Sequence, residues 1–251
     1  MGLLSRAPTS ETFMQLIGPE QQDIIDELQV IQRLLPLENA QILELGCGTA
    51  EKTLQIAEQT EVASIVAAEV DPQAHAKNLS LGDLPKITFA TFGAEAIDAP
   101  DDTFDAVLMF KSLHHVPLSL MAQALGEIER VLKPGGFAYF SEPVFAGNFN
   151  DVLKLFHDES VVRKAAFEAI SNAVDTDQFV LQEEYFFKNK FTLKHFGQFE
   201  NGVMAATHTE HVVTPEIMEQ VKAKFESYGT PESGYTFFAE NRIDLLRKPA
   251  A

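Results

Sequence analysis

The run Ile42-Leu43-Glu44-Leu45-Gly46-Cys47-Gly48-Thr49-Ala50 constrains this chain more than any other stretch. Its first four residues read as a short apolar strand, and two glycines then turn the chain into a helix beginning near Ala50. A turn that tight needs positions that tolerate a positive φ or a close approach of backbone to ligand, and glycine has no Cβ to forbid either. Free backbone N–H groups at a strand-to-helix turn make a place for the polar or anionic end of a ligand. The stretch therefore predicts the floor of a nucleotide-type pocket.

The residues after the turn repeat the same rhythm. Positions 51–59 continue as a helix, and 62–69 form an unbroken apolar run, as expected of a parallel strand buried on both faces. Asp71-Pro72 is a helix start, and that helix runs to about Leu79. Strands are predicted at 87–91 and 106–110, a helix at 120–132 ending in Lys133-Pro134-Gly135-Gly136, and a fifth strand at 137–141. Strand and helix alternate five times, the pattern of a doubly wound parallel sheet with right-handed crossovers.

Outside that stretch the pattern is different. Residues 1–36 read as an amphipathic helical cap, with Ile24, Ile25, Leu28, Ile31, Leu34 and Leu35 at helical spacing and Pro36 closing the segment. Beyond Pro143, residues 149–174 give one long helical pattern. An aromatic-rich stretch from Phe179 to Phe199 alternates too irregularly for more than an extended assignment. It suits an apolar substrate chamber or a plain core under a lid equally well. Thr214-Pro215 starts a last helix, and 235–246 a last strand. The domain reading is a cap over 1–36 and one α/β domain over 37–251, with 144–213 a lid-like insertion after strand five that serves the substrate.

Composition narrows the function. The 251 residues are 45% hydrophobic and 22% charged, the balance of a soluble globular chain, and suffice for a substantial single core. No apolar run is long enough to cross a bilayer, and no basic region followed by an apolar core opens the chain. A cytoplasmic protein without membrane contact is expected. Thirty-seven acidic residues against 19 basic ones give a net charge of −18, a field that repels phosphate backbones, so nucleic acid is not the expected partner. Cys47, the single cysteine, reads as a small residue filling a tight turn, with a nucleophile as the competing reading.

Glycine spacing selects the nucleotide. A dinucleotide fingerprint needs a small residue at position 51, where this chain has Glu51. Read as acid-x-Gly-x-Gly-x-small, Glu44, Gly46, Gly48 and Ala50 resemble the first motif of class I S-adenosylmethionine-dependent methyltransferases, with Ala50 where that family usually has a third glycine. Three further stretches are similar to the family in order and spacing: Phe92-Gly93-Ala94-Glu95 with Asp101-Asp102-Thr103-Phe104-Asp105, Leu113-His114-His115-Val116, and Lys133-Pro134-Gly135-Gly136. Together they cover roughly residues 40–143.

The resemblance implies a mostly parallel, seven-stranded Rossmann-like sheet and S-adenosylmethionine as cofactor, with Glu44, Gly46, Cys47, Gly48, Glu69, Val70, Ala94, Glu95 and Phe110 around it. Glu69, 21 positions after Gly48 at a strand end, is placed to accept from a ribose diol, as an acid about 20 residues after a dinucleotide glycine turn does. The family's adenine-binding aspartate falls on Gly93, which leaves that task to Ala94 N–H plus Glu95, or to a water. The implied activity is methyl transfer to a small-molecule acceptor. A binding protein that keeps the pocket and performs no transfer, acting through a partner, is the alternative.

His114, His115 and Glu142 stand at the ends of strands four and five, where open α/β sheets bind ligands. Of these, His115 and Glu142 are the expected proton acceptors. His208-Thr209-Glu210-His211 has a metal-like spacing without a second ligand cluster, so no metal is expected.

Overall fold

The computed structural model describes residues 14–205 and 213–250. Its centre is a sheet in the order β1-β7-β9-β6-β5-β2-β3-β4. In chain order the elements are β1 (Asp23–Ile24), α1 (Glu27–Leu34), β2 (Gln41–Leu45), α2 (Glu51–Gln59), β3 (Ser64–Ala68), α3 (Pro72–Leu79), β4 (Ile87–Ala90), β5 (Phe104–Phe110), α4 (Met121–Val131) and β6 (Leu132–Pro143). There follow α5 (Gly147–Leu153), α6 (Ser160–Asp175), β7 (Val180–Leu193), α7 (Phe196–Phe199) with a π-helical turn at Glu200–Met204, α8 (Pro215–Glu226), β8 (Gly229–Thr230) and β9 (Gly234–Arg247). β2, β3, β4, β5 and β6 pair in parallel, and β9 runs antiparallel to both β6 and β7.

The pairing register explains the unbroken apolar runs. In β2, Leu43 and Leu45 pack with Val107, Leu125 and Ile128 on one face, while Ile42 packs with Ile31, Ile56 and Ile65 on the other. Both faces are covered, by α4 and α6 on one side and α1 and α2 on the other, so alternation is lost and each strand is apolar throughout. Helix starts follow their caps. Asp71 Oδ1 accepts from the N–H groups of Gln73 and Ala74, and Thr214 Oγ1 accepts from Ile217 N–H.

Three expectations need correction. The sheet has nine strands among the described residues rather than seven; the additional pair, β1 and β8, are two residues each, too short to leave a periodic signal. The helix expected over 1–36 is confined, where described, to Glu27–Leu34, because Asp26 caps it by accepting from Leu28 N–H and Asp23–Ile24 instead joins β7; residues 1–13 lie outside the described residues. The long helix over 149–174 is two helices, since Asp158 Oδ1 accepts from Ser160 N–H and starts α6 afresh.

The segment 144–213 also differs from a simple lid. Its β7 is a strand of the central sheet, paired with β9 from Val180 opposite Arg247 to Leu193 opposite Tyr235. The far halves of these two strands extend beyond the other strands and carry α5, α7 and α8 on a core of their own, built on Phe199, Phe225, Phe237, Val152 and Val221. Much of the aromatic-rich stretch is therefore core, with Phe149 and Phe191 packed edge-on at 5.1 Å.

Candidate functional site

The glycine turn takes the predicted form. Gly46, Gly48 and Ala50 all have positive φ, 72°, 55° and 59°. Gly46 has a second constraint, because a Cβ there would stand 2.7 Å from Ser112 Cβ, and Ser112 Oγ donates to Leu45 O at 2.9 Å. This ties the loop after β5 onto the turn after β2.

The turn's N–H groups are not left free. Gly46 N–H and Cys47 N–H donate to Ala68 O, Ala50 N–H donates to Cys47 O, and Gly48 N–H donates to Glu69 Oε2 at 2.7 Å. Glu69 Oε1 accepts from Asp71 N–H at 2.8 Å. The carboxylate one strand over thus locks onto the turn, with one lone pair used on each oxygen and another remaining. Above Gly48 there is open space, since an added Cβ would meet nothing within 4 Å. A diol donating into Glu69 and a ligand backbone lying over Gly48 fit this arrangement.

Other expected residues divide by exposure. Glu44 is 2% exposed, lies beneath the turn and accepts from Thr53 Oγ1 at 2.6 Å, so its carboxylate supports the floor rather than facing the crevice. Burial pushes its pKa up to about 7, with the Thr53 hydrogen bond opposing. Val70 is exposed, Ala94 buried and Phe110 half-buried. The Glu95 carboxylate folds back over Gly93, so close that a Cβ at 93 would collide with both its oxygens. Glu95 thus fills the space where a side chain at position 93 would begin.

Cys47 is buried, and burial followed by the charges of Glu44 and Glu69 pushes its thiol up to about 12. A thiol in that state supplies almost no thiolate at neutral pH. We expect native Cys47 to resist iodoacetamide at pH 8 and to react within minutes once the chain is unfolded in urea. Rapid native alkylation would revive the nucleophile reading.

Beyond β5 lies a cavity of about 340 Å³, within the range of small-molecule pockets, lined by none of the residues expected around the cofactor. Val144, Phe149, Leu153 and Val203 form its apolar wall, and Lys111, His114, His115, His157, Glu159 and Arg163 its polar one. His114 is 3% exposed; its Nδ1 hydrogen-bonds Glu142 Oε2, and its Nε2 lies 3.7 Å from Glu159 Oε1. Burial alone would lower the His114 pKa, but the Glu142 charge and hydrogen bond, assisted by Glu159, outweigh it and raise it to about 9. Burial likewise opposes ionisation of Glu159, yet His114 and Arg163 hold its carboxyl well below the ordinary carboxylate range. Arg163 Nη2 and Nε donate to Glu159 Oε2 at 2.6 and 3.1 Å, and Arg163 Nη1 to Asn150 Oδ1 at 3.0 Å.

The two residues expected to move protons separate here. His115 is exposed and lines the cavity. Glu142 is 2% exposed and does not line it; its oxygens are taken by Leu113 N–H and His114 Nδ1. Glu142 thus holds the Leu113 backbone and the His114 ring. Glu159, Arg163 and His157 were missed from the sequence because no motif contains them; the Glu159–Arg163 spacing of four on a helix was the one local signal. His208 and His211 lie outside the described residues.

The comparisons with known proteins agree with this architecture. Residues 42–136 match the family model described as a methyltransferase domain. An uncharacterized methyltransferase of Mycobacterium tuberculosis is 32% identical over 108 residues, 43% of this chain and 42% of the relative. A ubiquinone/menaquinone biosynthesis C-methyltransferase of Geobacter sulfurreducens is 34% identical over 111 residues, 42% of each chain. Each alignment thus spans less than half of the relative's length. Among solved structures, a SAM-dependent methyltransferase of Methanosarcina mazei superposes with a TM-score of 0.54 at 16% identity, over 91% of this chain and all of that one. The fold is that of Rossmann-like methyltransferases, and the matched segment holds the glycine turn, Glu69 and the His114–His115 loop. Among the described residues no helix is long and apolar enough to cross a membrane.

Proposed function

We propose that this chain transfers a methyl group from S-adenosylmethionine to a small-molecule acceptor bound in the cavity between β5, β6, α5 and α6. The observation that supports this most is the lock between Gly48 and Glu69, with open space above Gly48; the cavity of mixed polar and apolar lining begins at Lys111, directly after β5. The bound sulfonium supplies an already activated methyl group; the protein aligns the acceptor, excludes water and accommodates any proton released.

Glu69 accepts from the ribose hydroxyls, and Gly46, Cys47 and Gly48 form the surface under the amino-acid end. Val70 and Phe110 flank the nucleoside, while Ala94 N–H and the Glu95 carboxylate serve the adenine edge from the space left by Gly93. His115 is the acceptor-facing polar side chain, on the wall oriented by Glu142 through His114. The C-methyltransferase relative supports a small organic acceptor, since it is named for quinone biosynthesis.

The cofactor reading is tested by melting the chain with S-adenosylhomocysteine and, separately, with NADH. Stabilisation by the first alone is expected, and stabilisation by NADH alone would discard the reading. Glu69→Ala should weaken S-adenosylhomocysteine binding at least tenfold by calorimetry, because two donors lose a charged acceptor; an unchanged affinity would refute the ribose assignment. Labelled donor incubated with a panel of small metabolites then reports transfer directly.

A further inference from the structure

We propose that His114, His115 and Glu159 bind one divalent transition-metal ion of the zinc type at the inner wall of the cavity. One donor atom from each lies within 4.8 Å of the other two, and His114 Nε2 and Glu159 Oε1 are already 3.7 Å apart. Metal–ligand bonds of about 2.0–2.1 Å put two ligands of one ion about 3–4 Å apart. The remaining contraction falls on His115, which is exposed and whose ring centroid stands 4.2 Å from that of His114. Two imidazoles with one carboxylate suit zinc and its neighbours rather than magnesium or calcium, which take oxygen ligands.

The surroundings carry the inference beyond mere proximity. Glu142 holds His114 at Nδ1, which fixes the ring with Nε2 toward the cavity. Arg163 holds Glu159 at Oε2, which turns Oε1 the same way. A carboxylate behind a ligating histidine is the usual outer support of such ions, orienting the ring and raising its basicity. His157 Nε2, 2.7 Å from Glu159 Oε1, steadies the carboxylate from the cavity side. Three protein ligands leave one position open, and it faces the cavity. If the proposed function holds, that position takes an oxygen or nitrogen of the methyl acceptor; the ion site itself does not depend on methyl transfer.

The test uses the full chain stripped with a chelator and titrated with zinc by calorimetry, and with cobalt for its visible absorption. One ion per chain with micromolar or tighter affinity is expected. His115→Ala, at an exposed side chain and with folding checked by urea unfolding, should weaken zinc at least tenfold, and Glu142→Gln by about 10–100-fold through the loss of orientation. His195→Ala, outside the cavity, should change nothing. Absence of saturable zinc binding, or wild-type affinity in both His115→Ala and Glu159→Gln, overturns the proposal. S-adenosylhomocysteine binding measured in parallel keeps the two readings apart: a cofactor response without zinc binding sinks the ion site alone, and zinc binding without a cofactor response upholds the ion site while sinking the methyltransferase reading.

Discussion

Arg163→Met is expected to destabilise the chain by about 3–5 kcal/mol, measured by urea unfolding at pH 7 in the presence of chelator. Arg163 and Glu159 are 7% and 8% exposed, and the guanidinium places two N–H groups on Glu159 Oε2. Removing one member of a buried ion pair leaves the other as an uncompensated charge, which is what makes such substitutions severe. Asn150 Oδ1 loses its donor in the same step. Adding Glu159→Gln should return a large part of the loss, because the buried charge is then gone. A single-variant effect below about 1 kcal/mol would mean that His114 and His157 satisfy Glu159 unaided.

Glu44→Gln should flatten the dependence of stability on pH. Glu44 has a folded pKa near 7, above its ordinary value of 4.5, so the folded chain binds more protons than the unfolded one between those pH values. Its contribution is fully present below pH 4.5 and is lost as pH rises through 7, a total of about 3 kcal/mol. His114, raised to about 9, also loses its contribution as pH rises, from 6.5 upward, and does so equally in both proteins. The difference between wild type and Glu44→Gln, followed by urea unfolding from pH 5 to 8, therefore isolates Glu44: the wild type should lose about 2–3 kcal/mol more than the variant. Parallel profiles would place the Glu44 carboxyl outside the desolvated space beneath the turn.

Local chemistry decided what was legible in the sequence. The glycine turn was readable because only residues tolerant of positive φ serve there, and Asp71-Pro72 and Thr214-Pro215 were readable because side-chain caps act over two or three residues. The parallel strands were readable as apolar runs, since burial on both faces erases alternation. Where long-range pairing decides, the sequence was silent. Asp23–Ile24 becomes a strand only because β7 lies beside it, and β7 itself looked irregular because a register shift between Leu181 and Glu183 breaks its alternation. The site divides in the same way: Gly48 and Glu69 follow a fixed spacing, whereas Glu159 and Arg163 gain meaning only when α6 brings them against His114. Glu142 and Glu44, both expected at the site, are buried and hold neighbouring groups, an orientation that spacing along the chain does not reveal.

The aromatic cluster under α5, α7 and α8 shares no buried side chain with the two clusters flanking the sheet. Substitutions that reshape the roof are therefore felt in a different set of packed residues from those that support Gly48 and Glu69. A lineage carrying this fold can therefore reshape the cavity wall at Phe149 or Val203 while the packing beneath the glycine turn stays constant.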